Sequence, residues 1–193
     1  KMKTWEKDVK VEYKNFNIPV VECIERDMKR PNPVGRRVIL DMYKKYFNEV
    51  KYDENPNLPH CVIFDIDGTL AKMTKRGPFD WDKVDTDELN LPVAKLYSVV
   101  YQIYNVIIFS GRDEICREKT EKWLENNNIF YDELFMRPKG NTEKDSIIKK
   151  RLFEEYIKGK YYVDFVVDDR QQVVDMWRLE LGIPCFQADY GDF

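Results

Sequence analysis

The segment Cys-Val-Ile-Phe-Asp-Ile-Asp-Gly-Thr, residues 61–69, constrains the fold of this chain more than any other. Four apolar residues in a row, Cys61 to Phe64, suit a short strand buried on both faces, the kind found in parallel sheets covered by helices. Asp65 and Asp67 follow at alternate positions and would share a face if the strand continued, but Gly68 breaks the extended backbone. A buried strand that ends in paired carboxylates and a turn delivers negative charge to the carboxyl edge of a sheet, where open α/β folds hold ligands. Carboxylates this close repel unless a proton, a basic side chain or a metal ion offsets them. Asp-x-Asp alone is equally compatible with a solvated turn; the apolar run before it and the Gly-Thr after it favour a site.

The rest of the chain repeats the theme. Residues 104–112, 129–137, 161–170 and 183–189 also read as strands, and helical segments fall between them at 91–103, 117–127, 144–158 and 171–181. Strands alternating with helices of this length predict an α/β fold, with a five-stranded parallel sheet flanked by helices. Upstream, residues 8–18 alternate as a strand, a helix starts at Pro19, and a second over 36–50 turns Val38, Tyr43 and Phe47 toward a core. The polar, Pro-bearing segment 51–59 reads as a linker, which gives an N-terminal part over 1–50 and a main domain over 60–193. The segment 71–90 is long for a strand-to-helix loop and has the length of a functional flap.

Charge follows the same division. Residues 1–51 carry a net +5 and the remainder a net −8. The acidic part is where the chemistry collects, so a phosphate substrate there needs a mediating cation. No stretch approaches the roughly 20 apolar residues of a membrane span, and the start of the chain has no signal-peptide core. Cys23, Cys61, Cys116 and Cys185 lack metal-ligand spacing and read as reduced thiols of a cytoplasmic protein.

Three of the predicted strands end in polar groups: Asp65 and Asp67; Ser110, Gly111 and Arg112; Asp168 and Asp169. In a parallel sheet these ends lie along one edge. Asp145 and Lys149, four apart in the third helix of the main domain, head a stripe continued by Leu152 and Tyr156, so an inward apolar half would carry both toward that edge. The alternative is an ordinary solvated i,i+4 pair, worth a few tenths of a kcal/mol. Two carboxylates joined by two more from another strand form an oxygen cage suited to Mg²⁺. Lysine, arginine and hydroxyl groups add phosphate contacts, and an aspartate can attack phosphorus while a second moves the proton. The single histidine, His60, excludes two-histidine mechanisms. No cysteine has an arginine six positions on, and no Gly-x4-Gly-Lys-[Ser/Thr] loop occurs, so 5′-kinase activity is not expected from these residues.

The order of Asp-x-Asp-Gly-Thr, Ser-Gly-Arg, Lys and Asp-Asp resembles the haloacid dehalogenase superfamily of phosphotransferases, with its Rossmann-like sheet. Residues 60–193, including VIFDIDGTLAKMTKRGPFD, KDSIIKK, VVDDRQQVVDMWR and GDF, are more specifically similar to the 3′-phosphatase domains of bacteriophage-type polynucleotide kinase/3′-phosphatases. The resemblance implies a nucleophile at Asp65, an acid/base at Asp67, a flap arginine at Arg76, phosphate ligands at Ser110 and Arg112, and the helix pair Asp145 and Lys149. It also implies Mg²⁺ held at Asp65, Asp67 (through its backbone carbonyl) and one of Asp168 and Asp169. The implied substrates are 3′-phosphorylated DNA or RNA ends, with Arg76 on the departing phosphate and Lys72 and Lys75 on the strand beyond it. Residues 1–50 resemble the end of a kinase domain, a small α/β remnant with Arg26 and Arg30 at positions of a lid over ATP. A fragment of a longer, self-associating bifunctional enzyme is therefore expected. A nucleotide or small-ester phosphatase, or a non-catalytic module on the same fold, are the alternatives.

Overall fold

The apolar run at 61–64 forms the central strand of the sheet. In the computed structural model, which describes residues 18–47 and 50–191, β1 (His60–Phe64) lies between β4 (Asn105–Asp113) and β6 (Tyr162–Arg170), with β5 (Glu133–Arg137) and β7 (Cys185–Gly191) outside them. The order is β5-β4-β1-β6-β7 and every pairing is parallel. Successive β1 side chains enter opposite layers. Val62 and Phe64 pack with Val106, Ile108, Tyr97 and Leu124 on one face, and Cys61 and Ile63 pack with Ile107, Phe109, Ile148 and Trp177 on the other. Each fully buried Ile or Phe here contributes roughly 1.5–3 kcal/mol of transfer free energy, so register is strongly specified.

Helices cover both faces. α3 (Leu91–Val100) and α4 (Arg117–Asn126) supply Tyr97 and Leu124 to the first layer, and α5 (Asp145–Leu152) and α6 (Gln171–Asp175) supply Ile148 and Val173 to the second. α5 and α6 continue as π-helical turns, Phe153–Ile157 and Met176–Glu180. Among the described residues no helix is long and apolar enough to cross a membrane. The four cysteines are free, three of them buried.

The described residues form two compact units that meet in sequence at Tyr46 and Phe47. In the first, α1 (Val20–Met28) packs on α2 (Arg36–Tyr46), and the buried Asp27 carboxylate accepts the Val34 and Gly35 N–H groups at 3.1 and 2.8 Å, fixing the turn between them. The inward Val38 and Phe47 expected from periodicity are instead exposed, Tyr43 is half-buried, and α2 has no buried residue. Burial among the described residues of this unit falls on α1, at Val20, Ile24 and Asp27, and not on α2. The strand expected over 8–18 lies, except for Ile18, outside the described residues. In the second unit, the segment 51–59 is tied to the sheet: the Tyr52 hydroxyl accepts the Val163 N–H at 3.2 Å, its ring lies 5.2 Å from that of Tyr162, and Glu54 accepts the Gly159 N–H at 2.8 Å.

The flap over 71–90 is built, not extended. β2 (Ala71–Lys72) pairs antiparallel with β3 (Glu88–Leu89), and a 3-10 helix over Trp81–Thr86 buries Val84 between them. Lys119 of α4 also bonds to the Asp82 carbonyl.

Candidate active site

β1 stops at Phe64, so the alternation that would put Asp65 and Asp67 on one face no longer applies. The two carboxylates enter different networks. Asp65 is buried and accepts a 2.7 Å bond from Lys149 Nζ. Asp67 turns toward two arginines: Arg112 donates through Nε and Nη2 at 3.0 and 2.7 Å to its Oδ1, and Arg76 Nη2 donates to the same oxygen at 2.8 Å. Gly68, at φ +82°, makes the turn that follows them.

Lys149 stands at the centre of the first network. It is 1% exposed, and its ammonium contacts Asp65 at 2.7 Å, Asp168 at 2.7 Å and Asp145 at 3.3 Å. Asp145 and Lys149 thus face inward from α5, with Leu152 buried below them and Tyr156 stacked on Phe135 at 4.3 Å. Burial alone would depress the lysine, but Asp145, Asp168 and Asp65 outweigh it and hold the ammonium well above its usual pKa. Burial likewise pushes the Asp65 and Asp168 carboxyls up, against the pull of Lys149. Asp169 is pushed up to about 7 by burial and by Asp168 beside it.

Carboxylate oxygens of Asp65, Asp168 and Asp169 lie within 4.8 Å of one another. Asp169 Oδ2 is buried with no hydrogen-bond partner among the described residues, while Oδ1 meets the Thr69 hydroxyl only at 3.5 Å. A side chain at Gly68 or Gly191 would bring a Cβ within 2.0 or 1.8 Å of that Oδ2, so two glycines make room for this carboxylate. An all-oxygen donor set with an orphaned buried oxygen fits a hard divalent cation. The Asp67 carboxylate lies outside the cluster, in the arginine network.

The second network is closed. Arg76 and Arg112 have no exposed side-chain surface, and Asp87 bridges them, with its Oδ2 at 2.7 Å from each Nη2. Arg76 Nε donates to both Asp87 oxygens and its Nη1 reaches the Gly77 and Pro78 carbonyls, so every guanidinium nitrogen is engaged. Arg112 also reaches Thr120 at 3.4 Å and lies over the Trp123 ring. Ser110 is buried, with its hydroxyl accepting the Arg112 N–H at 3.2 Å. Two arginines and two carboxylates balance here.

Sequence reasoning missed three contributors. Asp87 sits at the end of the flap, where four aspartates fall between 80 and 87 and no periodicity singles one out. Arg137 ends β5 and donates to the Gly111 carbonyl at 2.7 Å and to Asp145 at 3.2 Å; its position at a strand end was the available signal. Arg170, just after the aspartate pair, lies 3.9 Å from Asp145. With Asp65, Asp67 and flap residues these two line a small cavity of about 30 Å³, which shares Phe79, Trp81, Arg137, Asp145 and Arg170 with a cleft of about 620 Å³.

Comparison with known proteins agrees with this geometry. Residues 59–193 match the family described as the polynucleotide kinase PNKP phosphatase domain. The chain is 37% identical over 179 residues to a protein of Autographa californica nuclear polyhedrosis virus named as a bifunctional polynucleotide kinase/RNA ligase, a match that covers 88% of this chain and 26% of that protein. Two solved structures, of the Pnkp1/Rnl/Hen1 RNA repair complex and of the Pnkp1/Rnl/Hen1 complex, are similar at TM-score 0.72 with 42% and 44% identity. They cover 92% of this chain and 65% and 62% of theirs. The chain therefore spans about a quarter of the viral relative and less than two thirds of the solved ones.

Proposed function

The chain belongs to the family of polynucleotide kinase phosphatase domains, and from that premise we propose that it is a Mg²⁺-dependent polynucleotide 3′-phosphatase acting through an aspartyl-phosphate on Asp65. The observation that carries the reading is the buried oxygen cluster of Asp65, Asp168 and Asp169 beside one lysine, with an orphaned oxygen on Asp169. Asp65, Asp168 and Asp169, with the main chain at Asp67, would hold Mg²⁺. When bound, the ion offsets the carboxylates' charge and draws phosphate oxygens into the site.

The residues then divide the reaction. An Asp65 oxygen attacks phosphorus, the bond from phosphorus to O3′ breaks, and Asp67 delivers a proton to O3′ to leave a 3′-hydroxyl. In the second half Asp67 takes a proton from water, whose oxygen attacks the same phosphorus; the bond to Asp65 breaks and inorganic phosphate leaves. Lys149 holds the attacking carboxylate through a 2.7 Å bond. Arg76, Arg112 and Asp87 hold Asp67 in place. Because Arg76 is fully engaged within the protein, its part is positioning Asp67, and Arg137 and Arg170 are the arginines that line the cavity itself. The relatives are a polynucleotide kinase/RNA ligase and an RNA repair complex, which supports 3′-phosphorylated nucleic-acid ends as substrates and the joining of residues 1–50 to a kinase in a longer protein. Phosphate release from a 3′-phosphorylated oligonucleotide at a much higher kcat/KM than from a 3′-mononucleotide is expected; equal values would leave a small-ester phosphatase instead.

Arg76→Ala is predicted to lower turnover about a hundredfold on p-nitrophenyl phosphate and on the oligonucleotide alike, because a misplaced Asp67 slows the activation of water against the aspartyl-phosphate that both substrates share. A loss confined to oligonucleotides would make Arg76 a strand contact. A second expectation concerns pH. An isolated aspartate ionises near ~3.9 in the unfolded chain, whereas Asp169 in the folded protein does so near 7. Between these values the folded state binds the extra proton, so this group's contribution to stability falls as pH rises from about 4 to 7. Mg²⁺ takes the ionised form and must displace that proton below pH 7. The Tm increase on adding Mg²⁺ should therefore be larger at pH 8 than at pH 6; the reverse order would detach Asp169 from the metal.

A further inference from the structure

The cleft outside the reacting groups is lined by unlike groups. Phe79, in the flap, is 72% exposed, and it lines both the small cavity that contains Asp65 and the larger cleft. Its ring stands edge-to-face against Trp81, with centroids 5.8 Å apart and planes at 85°, and Trp81 in turn packs on the core. Trp81 thus anchors the flap and sets the attitude of Phe79, whose own ring is left to solvent. The rest of the lining is polar and charged, with Asp113, Asn141, Thr142, Glu143, Lys144 and Gln172. The inner cavity has about the volume of one or two waters, while the outer cleft has room for a nucleoside.

A nucleotide has the same asymmetry, an apolar base face and a polar sugar-phosphate edge. Aromatic rings beside a backbone-tracking groove bind single strands by stacking, with little dependence on base identity. We propose that Phe79 is the stacking platform for the base of the nucleotide carrying the 3′ phosphate, so that the site takes nucleic-acid ends whose terminal base is unpaired. This rests on the polynucleotide reading above and names the subsite that would give it specificity. A blunt duplex end also exposes one base face, but its terminal base brings the paired nucleotide with it, and the cleft has room for one nucleoside.

The test is a cycle between the ring and the base. Wild type and Phe79→Ala are compared on a 3′-phosphorylated oligonucleotide, on the same strand with an abasic terminal residue, and on p-nitrophenyl phosphate. The variant is expected to lose about tenfold to a hundredfold in kcat/KM on the intact strand relative to p-nitrophenyl phosphate. Removing the base should cost the wild type a similar factor and the variant almost nothing further. Phe79→Trp should keep the wild-type ratio, and the loss should persist at high salt, unlike that of a phosphate contact. Equal losses on all three substrates, or independent losses for ring and base, would overturn the platform while leaving the phosphatase intact. A wild type that hydrolyses p-nitrophenyl phosphate but not the oligonucleotide would remove the polynucleotide reading and the platform with it.

Discussion

Asp65→Asn is expected to lower phosphatase turnover by about a thousandfold or more, the scale on which loss of a covalent nucleophile acts, without loss of fold. The amide keeps the shape of the carboxylate but attacks phosphorus poorly. Stability should hold or rise, because the substitution removes one of several mutually repelling buried carboxyls while Lys149 retains Asp145 and Asp168. Unchanged circular dichroism with a Tm at or above wild type, beside lost turnover, is the expected pattern. Residual activity above about a tenth of wild type would remove Asp65 as nucleophile.

Removal of Mg²⁺ should have an effect of similar size. Asp65, Asp145, Asp168 and Asp169 crowd one lysine, and Arg137 and Arg170 meet them at Asp145. A phosphate charge about 4 Å from one uncompensated carboxylate is opposed by about 4 kcal/mol at an effective dielectric near 20, about a thousandfold in rate. Excess chelator should therefore reduce activity on oligonucleotides and p-nitrophenyl phosphate to background, and added Mg²⁺ should restore it. Full activity in chelator would leave the oxygen cluster without a catalytic cation.

What could be read from the sequence is what secondary-structure periodicity controls. The run Cys61–Phe64 announces a two-faced strand, and the ends of parallel strands must share an edge, so Asp65, Arg112 and Asp168 converge without being neighbours in sequence. The stripe of Asp145, Lys149 and Leu152 follows from helical spacing, and its apolar half decides which way the charges point. Contacts set by tertiary placement were not legible. Asp87 reaches Arg76 and Arg112 only because the flap folds back through the β2–β3 pair. The separation of Asp65 from Asp67 depends on the strand ending at Phe64, one residue before the alternation would have paired them. The exposed Val38 shows the limit of periodicity from the other side: an amphipathic pattern marks an apolar stripe but does not name what covers it.

The most direct test of the account follows the phosphate itself. An oligonucleotide labelled in its 3′-terminal phosphate is mixed with excess enzyme and Mg²⁺ and quenched in acid within a single turnover. The account predicts label on the protein before it appears as inorganic phosphate, in the peptide that contains Asp65, released by hydroxylamine as an acyl phosphate is, and absent from Asp65→Asn. Label on another residue, or phosphate released with none ever on the protein, would contradict it.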